Sequence, residues 1–202
     1  MRTPVIFTAL VSIAILAALG LFIYTQQQSA IITIRSTPSA LPSSLTPTTS
    51  NTIASKTIFA SDTPNTAKAF TYSAEVPISW QAEAVPAIEA IALYDPAAPG
   101  ANNLEKSQIF IRHFSANDFL TLSTVTIHSR QSLTIGNRPA VRYDIEKKAD
   151  ITNFPHQPIW RNLRHVVTDV RLSNASPSTF YVIAKNPTLS DAVYQQFLQT
   201  LK

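Results

Sequence analysis

The sequence predicts an α+β domain: an antiparallel sheet of about six or seven strands, covered by helices on both faces. From about residue 69 onward, runs rich in β-branched and aromatic residues recur, and turn-forming residues separate most of them. In the runs "HVVTDV" and "FYVIA", apolar residues occupy both odd and even positions, which face opposite sides of a strand. This pattern indicates a sheet buried on both faces. The chain closes with a stretch of helical periodicity.

Residues 1–27 predict a transmembrane anchor. The stretch "VIFTALVSIAILAALGLFIY" carries no charge over about 20 residues, the length that crosses a bilayer as a helix. It exceeds the apolar run of about 7–15 residues typical of cleaved signal peptides, and no clean cleavage site follows. Arg2 precedes it, so the positive-inside rule places the N-terminus in the cytoplasm. We therefore expect a single-pass protein of the cell membrane with its C-terminal domain outside.

Residues 28–68 predict a linker, and residues 69–202 the folded domain. Ser, Thr, Pro and Ala dominate the linker, and such a composition buries too little apolar surface to offset the entropy lost on ordering. Ile58 and Phe59 are exceptions that could dock on the domain, although a free linker is the favoured interpretation.

The predicted strands lie in seven runs, namely "AFTYSAEVPISW", "IEAIALYD", "SQIFIRHF", "TVTIHSRQSLTI", "AVRYDIEKK", "LRHVVTDVRL" and "TFYVIAKN". A surface loop, "DPAAPGANNLEK", interrupts them, and "SANDFLTLS" (115–123) is a candidate helix for one face. The terminal helix is predicted to begin with a cap by Thr188 and Asp191. Its apolar face comprises Val193, Tyr194, Phe197, Leu198 and Leu201.

The segment "HSRQSLTIGNRPAVRYDIEKK" (128–148) predicts a hairpin with a charged solvent face. Gly136-Asn137 suits a two-residue turn, but that turn pairs Leu133 with Ala140 and mixes polar and apolar faces. A register shifted by one residue, with a bulge at Arg138-Pro139, restores the separation. It pairs Arg130 with Asp144 and His128 with Glu146, so these charges are interpreted as structural.

The segment "NFPHQPIWRNLRHVVTD" (153–169) contains the candidate binding residues Trp160, Arg161, Arg164 and His165. Tryptophan and arginine are enriched in binding hot spots, and arginine suits carboxylate or phosphate ligands. The alternative is that Trp160 caps the core and the arginines are solvated or paired.

Several classes of function are disfavoured by composition. Three glycines in 202 residues cannot build glycine-rich phosphate loops, and a chain without cysteine has no thiolate chemistry. The four histidines are far apart in sequence, so no metal is expected. No G-x-S-x-G motif is present and the candidate carboxylates lie in strand-like or basic surroundings that suggest ion pairs, so no catalytic residue is assigned, and no cofactor is expected. The net charge of +4 owes much to residues outside the domain, whose own charges are nearly balanced, which argues against nucleic acid.

The domain resembles the PsbP-like fold of extrinsic photosystem II proteins and of membrane-anchored bacterial proteins of unknown function. The features that carry the resemblance are "FTYSAEVPISW", "LTIGNRPAVRYD", "STFYVIAKN" and "VYQQFLQTL". It spans about residues 70–202 and implies an α/β/α sandwich without implying an activity.

The sequence thus favours a membrane-anchored, extracytoplasmic module without catalysis that binds an envelope protein or an anionic ligand. An enzyme acting on envelope material, with catalytic residues not identified, and a structural spacer are the alternatives.

Overall fold

The computed structural model describes residues 54–119 and 123–202. Within these ranges it has the strands β1 (Ser55–Phe59), β2 (Ser73–Pro77), β3 (Gln81–Val85), β4 (Ala90–Tyr94), β5 (Ser107–Ala116), β6 (Val125–Ile135), β7 (Arg138–Lys147), β8 (His165–Arg171) and β9 (Ser178–Lys185). The helix α1 (Asp191–Thr200) follows, and short 3-10 turns cover Ala60–Asp62, Pro86–Ile88 and Ile159–Asn162. The predicted anchor lies outside the described residues. No helix among those described is long and apolar enough to cross a membrane.

Seven strands form one antiparallel sheet in the order β3-β4-β5-β9-β8-β7-β6, and β1 pairs with β2 in a separate small sheet. Strand β9 lies in the middle and is buried along nearly its whole length. Its continuous apolar run is therefore explained by burial on both faces, as the sequence predicts.

The first face of the large sheet is covered by α1 together with the β1–β2 sheet. Its core joins residues of the sheet to residues of these covering elements, among them Ile91, Ile109, Tyr181, Ile183, Val76, Tyr194, Phe197 and Leu198. The second face is covered by loops and by the turn Ile159–Asn162, whose apolar residues pack on Phe110, Val141, Tyr143, Ile145 and Val182. The fold is thus dominated by strands. Helices were expected over both faces, but the described part has one α-helix, which covers the first face.

Two of the local predictions around the covering elements need correction. Ser190 caps α1 by accepting a hydrogen bond from the Val193 amide through its side chain (3.4 Å), whereas Thr188 bonds to Asn186. Ser190 has the extended backbone of an N-cap residue directly before the helix, and Thr188 precedes it by two positions. In the candidate helix 115–123, Ser115 and Ala116 form the end of β5, and residues 120–122 lie outside the description.

The folded part begins earlier than the boundary at residue 69. Strand β1 falls within the predicted linker, but Ile58 packs on the first-face core and Ala60 is fully buried in it. The β1 backbone pairs with β2 over five residues on each strand. Docking of Ile58 and Ala60 therefore extends the ordered structure into a stretch whose average composition is that of a linker, whereas Phe59 remains 51% exposed.

The hairpin β6–β7 adopts the two-residue register, so the shifted register is wrong. Ile135 pairs with Arg138 around Gly136-Asn137, Leu133 pairs with Ala140, and Gly136 has the positive φ of 60° that such turns require. Leu133 and Ala140 both contact the first-face core, whereas Val141 and Tyr143 serve the second. Because β6 is the edge strand and is exposed along most of its length, its apolar residues need not share a face with Val141 and Tyr143, so the separation assumed for the shifted register is not required. The bulge lies at His128 and not at Arg138-Pro139.

Candidate functional site

The segment before β8 is held on the second face of the sheet by Trp160. Its side chain is only 6% exposed, and its indole Nε1 donates a hydrogen bond to the carbonyl of Ser107 at the start of β5 (3.0 Å). Pro158 precedes the 3-10 turn with extended backbone, and its carbonyl accepts from the Arg161 amide (3.0 Å). A buried tryptophan with a satisfied N–H fixes this turn firmly to the sheet.

Arg161 and His165 form a buried pair beneath the turn. Arg161 Nη1 donates to His165 Nε2 (2.6 Å), Arg161 Nε donates to the Gln157 amide oxygen (3.1 Å), and His165 Nδ1 lies 2.6 Å from the Leu163 carbonyl. This arrangement requires a neutral imidazole with its proton on Nδ1, since Nε2 must accept from the guanidinium. Both ring nitrogens are therefore engaged within the protein.

The electrostatics of this pair follow from burial. Desolvation and the nearby Arg161 cation lower the pKa of His165 to about 3. Burial, followed by the repulsion of Arg112, lowers the pKa of Arg161 to about 10. Arg161 still carries its charge at neutral pH, and His165 is held neutral far below the pH at which a free histidine would protonate.

Arg164 bonds with Asp144 of the strand β7. Its Nη2 lies 2.6 Å from Asp144 Oδ2, and its Nε donates to the same carboxylate at 3.1 Å. These hydrogen bonds lower the pKa of Asp144. The guanidinium is exposed, but its donors are directed at a carboxylate of its own chain.

The other predicted charge pairs are formed in part. His128 Nε2 lies 3.1 Å from Glu146 Oε2, as proposed from the sequence. Arg130 does not pair with Asp144, because the observed register sets it opposite Tyr143, and its guanidinium lies 5.7 Å from the centroid of that ring. The bulge at His128 changes the register between the two positions, so the His128–Glu146 pair forms and the Arg130–Asp144 pair does not.

The residues that sequence reasoning missed are Ile159 and Leu163, which bracket Trp160 and remain 57% and 60% exposed. The Ile159 amide donates to the carboxylate of Glu105 (3.1 Å), and the Leu163 amide donates to the Trp160 carbonyl (3.0 Å), so the backbone at both residues is fixed. We call Ile159, Leu163 and Arg164 the turn surface. The sequence did contain a signal for them, since two large apolar residues lie four positions apart on either side of a tryptophan.

The turn surface can bind but offers little for catalysis. The neighbouring His165 imidazole is buried, and the guanidinium groups of Arg161 and Arg164 already have acceptors within the chain, which leaves the exposed aliphatic side chains of Ile159 and Leu163 on a rigid backbone. In the two described ranges, no group of three or more His, Asp or Glu side chains is placed to hold a metal ion.

No protein-family model matches this chain, and no curated protein matches it in sequence.

Proposed function

We propose that the chain is a membrane-anchored, extracytoplasmic binding module that recognises a protein partner without catalysis. The anchor is the uncharged apolar stretch 5–24, and the domain, whose first described strand is Ser55–Phe59, carries the turn surface. The PsbP-like assignment is part of this proposal. It is supported by the seven-stranded antiparallel sheet and the closing helix, although the helical layer that the resemblance implies over the second face is absent from the described residues.

One observation carries the choice of a protein partner over an anionic ligand. Ile159 and Leu163 expose more than half of their surface on a turn that Trp160 and Glu105 hold in place. A rigid pair of exposed aliphatic side chains gains binding free energy by burial and loses little conformational entropy on association. Arg161 and Arg164, by contrast, already bond to groups of their own chain, and an anion would have to displace them.

Site-specific photo-crosslinking in the source cells tests this function. A benzophenone amino acid replaces Ile159 or Leu163 in the full chain, and the matched control replaces Gln196, which is exposed on α1. We expect a discrete adduct of higher mass at positions 159 and 163 and none at position 196.

A second arm uses the double substitution Ile159→Ser and Leu163→Ser, with the crosslinker at Arg164. The loss of two exposed aliphatic contacts should reduce the adduct about tenfold or more, since each buried side chain of this kind contributes roughly 1.5–3 kcal/mol. Equal adducts at all three positions, or none anywhere, would contradict the turn surface as the binding site.

A further inference from the structure

The strand β6 forms a long edge of the seven-stranded sheet. It lies at the end of the strand order and pairs with β7 alone. Between the bulge and the two-residue turn, residues 129–135 pair with β7 in a regular register, and we call them the edge segment. All of them except Leu133 and Ile135 expose their side chains. In the described part of the chain, the edge segment makes no backbone hydrogen bond outside its ladder with β7.

The backbone of the edge segment presents donors and acceptors at every second residue. Ile135 and Arg138 flank the two-residue turn and form a hydrogen-bonded pair, and an antiparallel ladder alternates along the strand from such a pair. The N–H and C=O groups of Arg130, Ser132 and Thr134 therefore point away from β7. Another extended segment can form a further ladder with these groups.

The opposite edge of the sheet is protected in a way that β6 is not. Strand β3 has five residues, and Pro86 follows it directly. Short edge strands, prolines and lysines are common means by which proteins prevent edge pairing. The edge segment is longer than β3 and contains neither proline nor lysine. An edge of this length without these protections is suited to pairing with a partner.

The charges around the edge segment select the kind of partner. Residues 129–143 include Arg130, Arg138 and Arg142 and contain no Asp or Glu. None of these arginines forms an ion pair within the described residues, and the next two carboxylates along β7 already bond to other side chains of the chain. A second copy of the chain would bring the same three cations to this edge, whereas an acidic segment would be attracted to it.

We propose that the edge segment binds an extended acidic segment of a partner protein, which adds an eighth antiparallel strand to the sheet. Backbone hydrogen bonds to Arg130, Ser132 and Thr134 hold the added strand, and a carboxylate opposite Arg130 provides charge complementarity. Leu133, which is partly exposed, faces an apolar residue of the added strand. This surface goes beyond the proposed function, because it contains no residue of the turn surface and does not depend on it.

Fluorescence anisotropy of a labelled peptide, VTVEVET, tests the proposal by titration with the full chain in lipid nanodiscs, with empty nanodiscs as the blank. In the antiparallel register, the second glutamate of the peptide lies opposite Arg130 and its second valine lies opposite Leu133. We expect saturable 1:1 binding above the blank. N-methylation of the amide of the fourth peptide residue, which blocks its bond to Ser132, should weaken binding about tenfold. Replacement of both glutamates by lysine should weaken it to a similar extent.

Variants of the edge segment separate backbone pairing from charge. Ser132→Pro removes an outward N–H that β7 does not use, so circular dichroism should show an unchanged fold while the Kd of the peptide rises about tenfold. Ser132→Ala keeps that N–H, is the matched control and should leave the Kd unchanged. Arg130→Glu should reverse the preference, so that the lysine peptide binds more tightly than the glutamate peptide. This reversal provides the readout if the proline variant does not fold.

The proposal is overturned by anisotropy no greater than the blank, by equal Kd values for folded Ser132→Pro and Ser132→Ala, or by an unchanged preference in Arg130→Glu. Light scattering of the full chain in detergent tests for the other occupant. A dimer that Ser132→Pro dissociates would assign the edge segment to a second copy and would also overturn the proposal. Ile159→Ser should leave the Kd of the peptide unchanged. Because the crosslinking experiment uses only the turn surface, the two proposals can fail separately.

Discussion

At the scale of single residues, His165 shows how burial converts a titratable group into a structural one. Its imidazole accepts from Arg161 and donates to the Leu163 carbonyl, so protonation would place a second cation against a buried guanidinium. The pKa of His165 is accordingly lowered to about 3. A free histidine titrates near pH 6.5, and between these two values the unfolded chain binds a proton that the folded chain does not.

The pH dependence of stability follows with a definite sign. The contribution of neutral His165 is fully present above pH 6.5 and is lost as the pH falls toward 3. We expect the free energy of unfolding of the full chain in detergent to be about 2 kcal/mol lower at pH 5 than at pH 7. The lowered pKa of Asp144 contributes stability that is present above the unfolded value of 3.8 and is lost as the pH falls below it, so Asp144 adds little to the difference between pH 5 and pH 7.

Urea unfolding of His165→Gln provides the check, because a glutamine can still accept from Arg161 but does not titrate. That variant should lose most of the difference between pH 5 and pH 7. The exposed His156, replaced by Asn to suit its positive φ of 58°, is the control and should retain the difference. An unchanged pH dependence in His165→Gln would contradict the assignment.

A double-mutant cycle distinguishes the observed register of the β6–β7 hairpin from the shifted one. Asp144 bonds to Arg164, whereas Arg130 lies opposite Tyr143. We expect a favourable coupling free energy between Asp144→Asn and Arg164→Gln, and none between Asp144→Asn and Arg130→Gln, in urea unfolding at low salt. The coupling should weaken at high salt because the pair is partly exposed. Coupling of Arg130 with Asp144 alone would restore the shifted register.

At the scale of elements, α1 packs one side against the first-face core and exposes the other side to solvent. Phe197 and Leu198 are fully buried, and the buried Tyr194 hydroxyl bonds to Thr168 Oγ1 and the Ile183 carbonyl, both at 2.9 Å. These bonds tie the helix to the two central strands β8 and β9. The helical spacing predicted this face from sequence, because the period of 3.6 residues leaves little choice of which side chains point inward.

Truncation of the buried side of α1 should be far more costly than truncation of its outer side. Phe197→Ala removes a fully buried ring and should lower the free energy of unfolding by about 3–5 kcal/mol. Gln196→Ala, one residue earlier and exposed, should change it by less than about 0.5 kcal/mol. Chemical unfolding of both variants measures the contrast, and Phe197→Leu provides a milder step if the alanine variant does not accumulate. Similar values for positions 196 and 197 would mean that α1 does not pack as described.

At the scale of the whole molecule, the sequence predicts what depends on local pattern and misses what depends on distant partners. The strand runs and the closing helix follow from periodicity. The burial of Arg161 does not, because it depends on Gln157, on His165 and on a tryptophan bonded to Ser107. The hairpin register was missed because β6 lies at the edge of the sheet and is largely exposed, and its edge position is set by strand pairings far along the chain.

The membrane orientation is the remaining prediction at this scale, and the absence of cysteine makes it testable with single thiols. Thr3→Cys lies before the apolar stretch, and Ala175→Cys lies in an exposed loop between β8 and β9. Since one positive residue precedes the stretch, we expect a membrane-impermeant maleimide to label position 175 in intact cells and position 3 only after permeabilisation. The unaltered chain provides a blank free of thiol background. Labelling of position 3 alone in intact cells would indicate the opposite orientation, in which the domain faces partners in the cytoplasm.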